Sequence, residues 1–262
     1  MAGLVIAGGI AVAAGRAGSL APSGRWGAVI VGTAATMAGW GWAALLVGWF
    51  VASSALTRLG QAQKLARTVG ALAPSSARTA IQVGANGSLF AVGALVGTVS
   101  GNANASVMAL GALAAAAADT WATELGVLWG GPPRALFGGG RMAPGMSGGV
   151  TAVGLLASVA GAAAVGAMGA MLVPSLPWGS LAAAIATAGV LGGLADSALG
   201  ATVQARRWCA ACARETERQM HDCGTRTTHA RGLRWMTNDT VNLLATLAGA
   251  LAALAFGGLL FR

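Results

Sequence analysis

Eight apolar segments recur along the sequence, separated by charged loops or by very short uncharged ones. The segments run 2–15, 26–38, 40–57, 79–98, 104–128, 148–173, 179–205 and 240–261. A helix needs roughly 20 apolar residues to span hydrocarbon, so most segments are long enough, whereas the first two are short. The pattern predicts an all-α polytopic transmembrane bundle of about eight segments in one membrane domain over residues 1–262. A re-entrant hairpin plus one span over 26–57 is the alternative for the early part.

The composition excludes a soluble fold. Charged residues make up 9% of the chain and hydrophobic residues 56%, whereas roughly 25% of a soluble protein is charged. The 42 glycines follow no Gly-X-Y period, which excludes collagen. The net charge of +9 comes from basic residues scattered between apolar segments, so the expected partner is a lipid bilayer and not nucleic acid.

The basic residues alternate between loops. They lie at 16–25, 58–78, 134–141 and 206–234, whereas the connections near Gly39, Asn102 and Pro174 carry no charge. Because basic loops remain in the cytoplasm, this alternation predicts that the four basic loops are cytoplasmic and that both termini lie outside.

Acidic and amide side chains are expected at one depth in the bundle. At about 1.5 Å per residue, Asp119 lies roughly 15 Å from the cytoplasmic end of its segment, and Asp196 lies at a matching depth. Asp239 opens the last segment from the same side and shares a helical face with Asn242, and Asn86 has a comparable depth. These groups are therefore predicted to converge on one level.

Carboxylate and amide oxygens without histidine are the hard ligands that Mg²⁺ accepts, usually together with phosphate oxygens. An ionisable group inside a membrane is costly unless it is paired or faces a cavity. The convergent acids therefore predict a magnesium site, although a proton or sodium pathway would use the same residue types.

A glycine-rich cytoplasmic loop precedes the sixth segment. Ser147, Gly148 and Gly149 provide free amide N–H groups and a side chain placed to cap the following helix. Helix N-termini bind phosphate, and Arg134 and Arg141 could add bidentate contacts. The loop predicts a phosphate site, with a plain helix start as the alternative.

Lys64 is the only lysine in the chain and lies in the second basic loop. It could neutralise a transferred phosphoryl group. The alternative is a juxtamembrane lysine that only follows the charge bias of cytoplasmic loops.

The basic loop at 206–237 contains Cys209-x2-Cys212 and His221-x-Cys223. Three thiols and an imidazole within this spacing are typical of a structural zinc knuckle that would staple the loop. Three reduced thiols beside an unliganded histidine are the alternative.

Several motifs along the chain resemble those of a known family in their expected order. They are Ser54-x-x-Thr57-x-x-Gly60 with Lys64, Asn86-Gly87, Ala118-Asp119-Thr120-Trp121-Ala122-Thr123-Glu124-Leu125-Gly126, Pro144-Gly145-x-Ser147-Gly148-Gly149-Val150, Asp196-Ser197-x-x-Gly200-Ala201-Thr202-x-Gln204 and Arg231-Gly232-Leu233-Arg234-Trp235-x-x-Asn238-Asp239-x-Val241-Asn242. Together they resemble the membrane kinase family typified by plastid phytyl-phosphate kinase of the vitamin E pathway. The cysteine cluster resembles that of prokaryotic members, which implies a prokaryotic plasma membrane.

This resemblance implies phosphorylation of an isoprenyl monophosphate, such as phytyl or geranylgeranyl phosphate, to its diphosphate. The implied donor is a nucleoside triphosphate, with CTP expected, and the implied cofactor is Mg²⁺ at a site facing the cytoplasm. The expected magnesium ligands are Asp119, Asp196, Asp239 and Asn242. The expected nucleotide and phosphate contacts are Arg58, Asn86, Thr123, Arg134, Arg141, Ser147, Gly148, Gly149, Asn238 and Asn242. Lys64 or Arg58 would offset charge during the transfer.

Two other functions use similar residues. A membrane cytidylyltransferase would make a CDP-lipid with comparable carboxylates and glycine-rich features. A transporter or polyprenyl-phosphate flippase would also carry internal acids, but no inverted repeat with paired broken helices is evident in the sequence.

Overall fold

The computed structural model describes residues 1–68 and 77–260 and is mainly helical. The helices are α1 (Ala2–Arg16), α2 (Pro22–Ala38), α3 (Trp40–Arg58), α4 (Gln61–Arg67), α5 (Ala80–Ser100), α6 (Ala103–Trp129), α7 (Ala152–Ala170), α8 (Trp178–Thr202) and α9 (Asn238–Leu260). Residues 69–76 of the second basic loop and the last predicted segment residue, Phe261, lie outside the described residues.

Six of these helices are long and apolar enough to cross a membrane: α3, α5, α6, α7, α8 and α9. Helix α1 is apolar but has only 15 residues, and α2 has 17. The prediction of a transmembrane helical bundle is therefore confirmed, and the first two helices are the short ones.

Helix α6 lies at the centre of the bundle and packs against α5, α7, α8 and α9. The membrane-length part of α6 is 67% buried, compared with 33–44% for the other five candidate spans. Its buried run from Ala109 to Ala118 consists mainly of alanine. Small side chains let neighbouring helices approach closely when lipid supplies no hydrophobic force between them.

Three of the central helices bring their backbones close together at glycines. A Cβ atom added to Gly111 of α6 would lie 2.4 Å from the Gly249 carbonyl oxygen of α9. A Cβ atom on Gly192 of α8 would lie 3.2 Å from Gly249 Cα and 2.4 Å from Ala115 Cβ. Glycine is therefore required where α6, α8 and α9 meet.

The outer surface of the bundle carries large apolar side chains. Exposed examples are Trp26, Ile30, Ile81, Val92, Val96, Leu156, Leu191 and Leu251. Large apolar side chains exposed in such number are unusual on a soluble protein, and the hydrocarbon of a bilayer would cover them.

Two small sheets interrupt the helices, which the all-α prediction did not include. Strand β1 (Arg134–Ala135) pairs antiparallel with β2 (Gly149–Val150). Between α8 and α9, β3 (Arg206–Cys209), β4 (Arg214–Thr216) and β5 (Thr228–Arg231) form an antiparallel sheet in the order β4-β3-β5. The segment predicted as a basic loop is thus a small folded unit.

Candidate functional site

A partly open cavity of about 860 Å³ lies at one end of the bundle. Residues from the C-terminal parts of α3, α6 and α8 and from the N-terminal parts of α5, α7 and α9 line it. Ten of the predicted site residues belong to this lining: Arg58, Asn86, Asp119, Thr123, Ser147, Gly148, Gly149, Asp196, Asn238 and Asn242. Lys64, Arg134, Arg141 and Asp239 do not belong to the lining among the described residues.

Asp119 on α6 and Asp196 on α8 both belong to the lining of this cavity. Asp196 is 7% exposed, and within the described residues its Oδ2 atom is buried without a hydrogen-bond partner. Two carboxylates on the wall of one cavity inside a membrane protein are costly unless a cation or another partner compensates their charge. The pair is therefore suited to a divalent cation.

Glycine brings these two acids together. A Cβ atom on Gly193 would lie 3.2 Å from Ala118 Cβ and 3.5 Å from the Asp119 amide nitrogen. Helix α6 fills the space beside Gly193, and the Ser147–Gly148 loop fills the space beside Gly200.

Amide side chains extend the oxygen-rich part of the lining. Asn86 donates its Nδ2–H to the Gln82 carbonyl at 3.0 Å, so its amide oxygen is left for another contact. On α9, Asn238 and Asn242 are four residues apart and face the cavity together. Both asparagines were predicted as site residues, whereas Asp239, which was also predicted, does not belong to the lining among the described residues.

Several arginines also line the cavity. Arg58, Arg67, Arg78 and Arg218 all belong to the lining, and only Arg58 was predicted as a site residue. Arg78 donates to Ser54 Oγ at 2.9 Å and lies 5.1 Å from the centre of the Phe50 ring. Burial lowers the pKa of the Arg78 guanidinium and the Glu124 carboxylate opposes that shift, and arginine stays charged at neutral pH.

Lys64 is buried beside the cavity wall and uses its ammonium group within the protein. It binds Glu124 Oε2 at 2.5 Å and the carbonyls of Leu56 and Thr57 at 2.7 and 2.8 Å. Thr57 also donates its hydroxyl to Glu124 Oε1 at 2.6 Å. All three ammonium donors are thus satisfied, and the structure gives Lys64 a role in tying α3 and α4 to α6 instead of a contact with the cavity.

Ser147 in the glycine-rich loop binds an acidic residue from the small sheet. Its backbone N–H and its hydroxyl each donate to the Glu217 carboxylate at 2.9 Å. The buried Arg206 donates to Glu217 Oε1 at 2.5 Å and to the Ser147 carbonyl, and Gln204 donates to Glu217 Oε2 at 2.8 Å. The Glu217 carboxylate therefore occupies the backbone and hydroxyl donors of Ser147, which the sequence assigned to a phosphate. No local pattern marks Glu217 as a site residue.

The residue that caps α7 after the glycine-rich loop is not the predicted one. Thr151 caps α7 by accepting a hydrogen bond from the Gly154 amide at 2.9 Å, so the prediction that Ser147 caps this helix is wrong. Gly148 has a φ of +86° and lies against Ala201 of α8, which only glycine can do without strain. Arg134 and Arg141 are exposed and pair with each other in a short antiparallel bridge.

The predicted zinc ligands lie together on the small sheet, away from the cavity lining. The ligand atoms of Cys209, Cys212, His221 and Cys223 all lie within 4.8 Å of one another. Hydrogen bonds with Thr225 and His221 lower the pKa of the Cys223 thiol to about 6, whereas a hydrogen bond with Cys223 raises the pKa of Cys212 to about 11.

The fold and the cavity define an integral membrane protein with a charged site at one end of a helical bundle. The chain belongs to the integral membrane protein DUF92 family, whose model matches residues 5–250. It is similar to Protein PGR of Arabidopsis thaliana, with 32% identity over 216 residues that cover 73% of this chain and 74% of that protein. No solved structure matches the chain. The family assignment is consistent with the resemblance drawn from the sequence motifs.

Proposed function

We propose that the protein is a Mg²⁺-dependent kinase that transfers the γ-phosphoryl group of a nucleoside triphosphate, with CTP as the expected donor, to an isoprenyl monophosphate. The observation that carries this proposal is the convergence of paired carboxylates and several arginines on one cavity in a bundle with an apolar outer surface. The motif resemblance to phytyl-phosphate kinases supports the same reaction. The alternation of basic and neutral loops supports a cytoplasmic orientation of the cavity, and the resemblance of the cysteine cluster to that of prokaryotic members supports a prokaryotic plasma membrane.

The donor set fits Mg²⁺. Asp119 and Asp196 supply carboxylate oxygens, Asn86 and Asn242 supply amide oxygens, and no histidine or thiol belongs to the lining among the described residues. The unpartnered Oδ2 atom of Asp196 is an unfilled ligand position. These four residues would hold the ion. When bound, Mg²⁺ would neutralise charge on the phosphates of the donor.

The chain's own residues would position two anionic substrates. Arg58 and Arg78 belong to the same lining as the acids and would contact phosphate oxygens, which suit the planar guanidinium. One oxygen of the acceptor phosphate forms a bond to the γ-phosphorus, and the bond to the leaving nucleoside diphosphate breaks. Because a phosphate monoester oxygen is already a nucleophile, positioning and charge stabilisation are sufficient without a strong general base.

The lipid part of the acceptor would remain in the bilayer. An isoprenyl chain is compatible with the apolar outer faces of the helices, whereas its phosphate requires the charged cavity. A cavity at the end of the bundle would bind the phosphate while the isoprenyl chain stays in contact with lipid.

The test uses the full-length protein purified in detergent, with geranylgeranyl or phytyl monophosphate, Mg²⁺ and CTP labelled at the γ-phosphate. Label is expected in the prenyl diphosphate, and its appearance should require Mg²⁺. Lipid labelled instead from the α-phosphate of CTP would identify a cytidylyltransferase. No transfer to any prenyl phosphate, together with movement of the lipid phosphate across vesicle membranes, would identify a transporter.

A further inference from the structure

The segment between α8 and α9 brings together four metal-ligating side chains that belong to different parts of its sheet. Cys209 ends β3, and Cys212 lies in the turn that leads to β4. His221 and Cys223 lie between β4 and β5. All four ligand atoms lie within 4.8 Å of one another, so the fold collects them at one point.

The distances between these ligand atoms suit the tetrahedral coordination of a metal ion. Cys209 Sγ lies 3.6 Å from Cys223 Sγ, and His221 Nδ1 lies 3.2 Å from Cys223 Sγ. Zinc bonds of about 2.3 Å to sulfur and about 2.0 Å to nitrogen place tetrahedral ligand atoms roughly 3.5 to 3.8 Å apart. The three cysteines are free thiols and form no disulfide, so all remain available as ligands.

The small sheet has almost no apolar core of its own. Its buried side chains include Cys209, Thr216, His221 and Thr227, and its fully buried Arg206 is charged. His221 is 6% exposed, and its Nε2 atom has no hydrogen-bond partner within the described residues. Small units without enough apolar burial commonly fold around a structural metal.

We infer that Cys209, Cys212, His221 and Cys223 bind one structural Zn²⁺ ion that folds this segment and thereby holds Glu217 against the glycine-rich loop. Four protein ligands close the tetrahedron and leave no position open for a substrate, which is the arrangement of a structural site. Cys209 lies three residues along β3 from Arg206, or about 10 Å away at the rise of a strand. The ion would therefore lie at the tip of a hairpin whose base carries the Arg206–Glu217 ion pair.

The test measures metal content in the full-length protein purified in detergent without chelator. About one zinc per chain is expected in the wild type, and replacement by Co²⁺ should give the visible ligand-field bands of a tetrahedral thiolate site. The variants Cys212→Ser and His221→Ala should lose most of the zinc. The matched control is His229→Ala, because His229 lies on the same sheet but outside the cluster. This variant should retain its zinc.

A second measurement covers the case in which the ligand variants do not fold. Chelator treatment of the wild type should expose three thiols to a thiol reagent and should make residues 206–237 sensitive to protease, and added Zn²⁺ should reverse both effects. Protein without zinc, or with a Cys209–Cys223 disulfide in its place, would overturn the inference. Metal content and protease sensitivity need neither CTP nor lipid, so this result does not depend on the proposed reaction.

Discussion

Ser147 directs both its backbone N–H and its hydroxyl at the Glu217 carboxylate, at 2.9 Å each, although the two residues are 70 positions apart. The glycine-rich loop thus meets an anion that belongs to the protein. Because Arg206 pairs with the same carboxylate and is fully buried, Glu217 connects the small sheet, the loop and the end of α8.

Replacing this acid should destabilise the protein. In Glu217→Gln, the buried Arg206 loses its counter-charge, and breaking a buried ion pair in this way costs about 3 kcal/mol or more. Thermal unfolding in detergent should show a clear fall in Tm. The matched control is Glu215→Gln, whose partner Arg231 is 3.6 Å away and exposed, and whose loss costs at most about 1 kcal/mol. Equal effects in the two variants would contradict the role given to Glu217.

The paired carboxylates should be essential for turnover. Asp119→Asn and Asp196→Asn each keep the shape of the side chain but remove a charge that the proposed Mg²⁺ requires. Each variant should lower the rate of phosphoryl transfer by orders of magnitude while membrane expression stays normal. Thr187→Val is the control on α8, because Thr187 is exposed and bonds only the Ala183 carbonyl of its own helix. Near-normal activity in either aspartate variant would remove that residue from the site.

Lys64 and Glu124 should behave as a pair. Lys64→Met leaves the Glu124 carboxylate without its cation in a mostly buried place, with side chains 10% and 18% exposed, so it should cost about 3 kcal/mol. The double variant with Lys64→Met and Glu124→Gln should recover much of the lost stability. A double-mutant cycle measured by thermal unfolding checks this. If Lys64→Met instead left stability unchanged and reduced only the affinity for CTP, then the sequence-based assignment of Lys64 to the phosphoryl group would be favoured.

Two glycine-to-alanine substitutions should change the stability of the protein in opposite directions. Gly111→Ala places a methyl group 2.4 Å from a backbone oxygen of α9, which forces α6 and α9 apart and should cost about 1 to 3 kcal/mol. Gly84→Ala meets no atom within 4 Å and should stabilise α5 by about 0.5 to 1 kcal/mol through the lower chain entropy of alanine. Measurements of Tm in the same detergent test both. A neutral Gly111→Ala variant would show that the helix contact is looser than described.

The hydropathy pattern predicted the positions of the membrane helices well, because a helix that spans a membrane must be a continuous run of apolar residues, which the sequence shows directly. The segments predicted at 40–57 and 104–128 correspond to Trp40–Arg58 and Ala103–Trp129. Counting residues from the basic loops also placed Asp119 and Asp196 at one depth, and the structure brings both to the same cavity. Depth along an axis follows from the helical rise alone.

Contacts across the bundle were not predictable from the same signals. The sequence marks Lys64 and Glu124 as charged but not as partners, because their pairing depends on how α4 and α6 lie together. Ser147 has the residue type of a helix cap, but the backbone leaves β2 before the helix begins, so Thr151 takes that role. On α9, the predicted Asn238 and Asn242 both belong to the lining, whereas the predicted Asp239 does not.

The glycine contacts at the centre of the bundle have a mechanical consequence. Where Gly111, Gly192 and Gly249 meet, no side chain can change rotamer to let the three helices slide or separate. Asp119 and Asp196 are carried on two of these helices, so the distance between them is set by main-chain contact. Any opening or closing of the cavity therefore falls to elements outside this contact, which include those that carry Arg58, Arg67, Arg78 and Arg218.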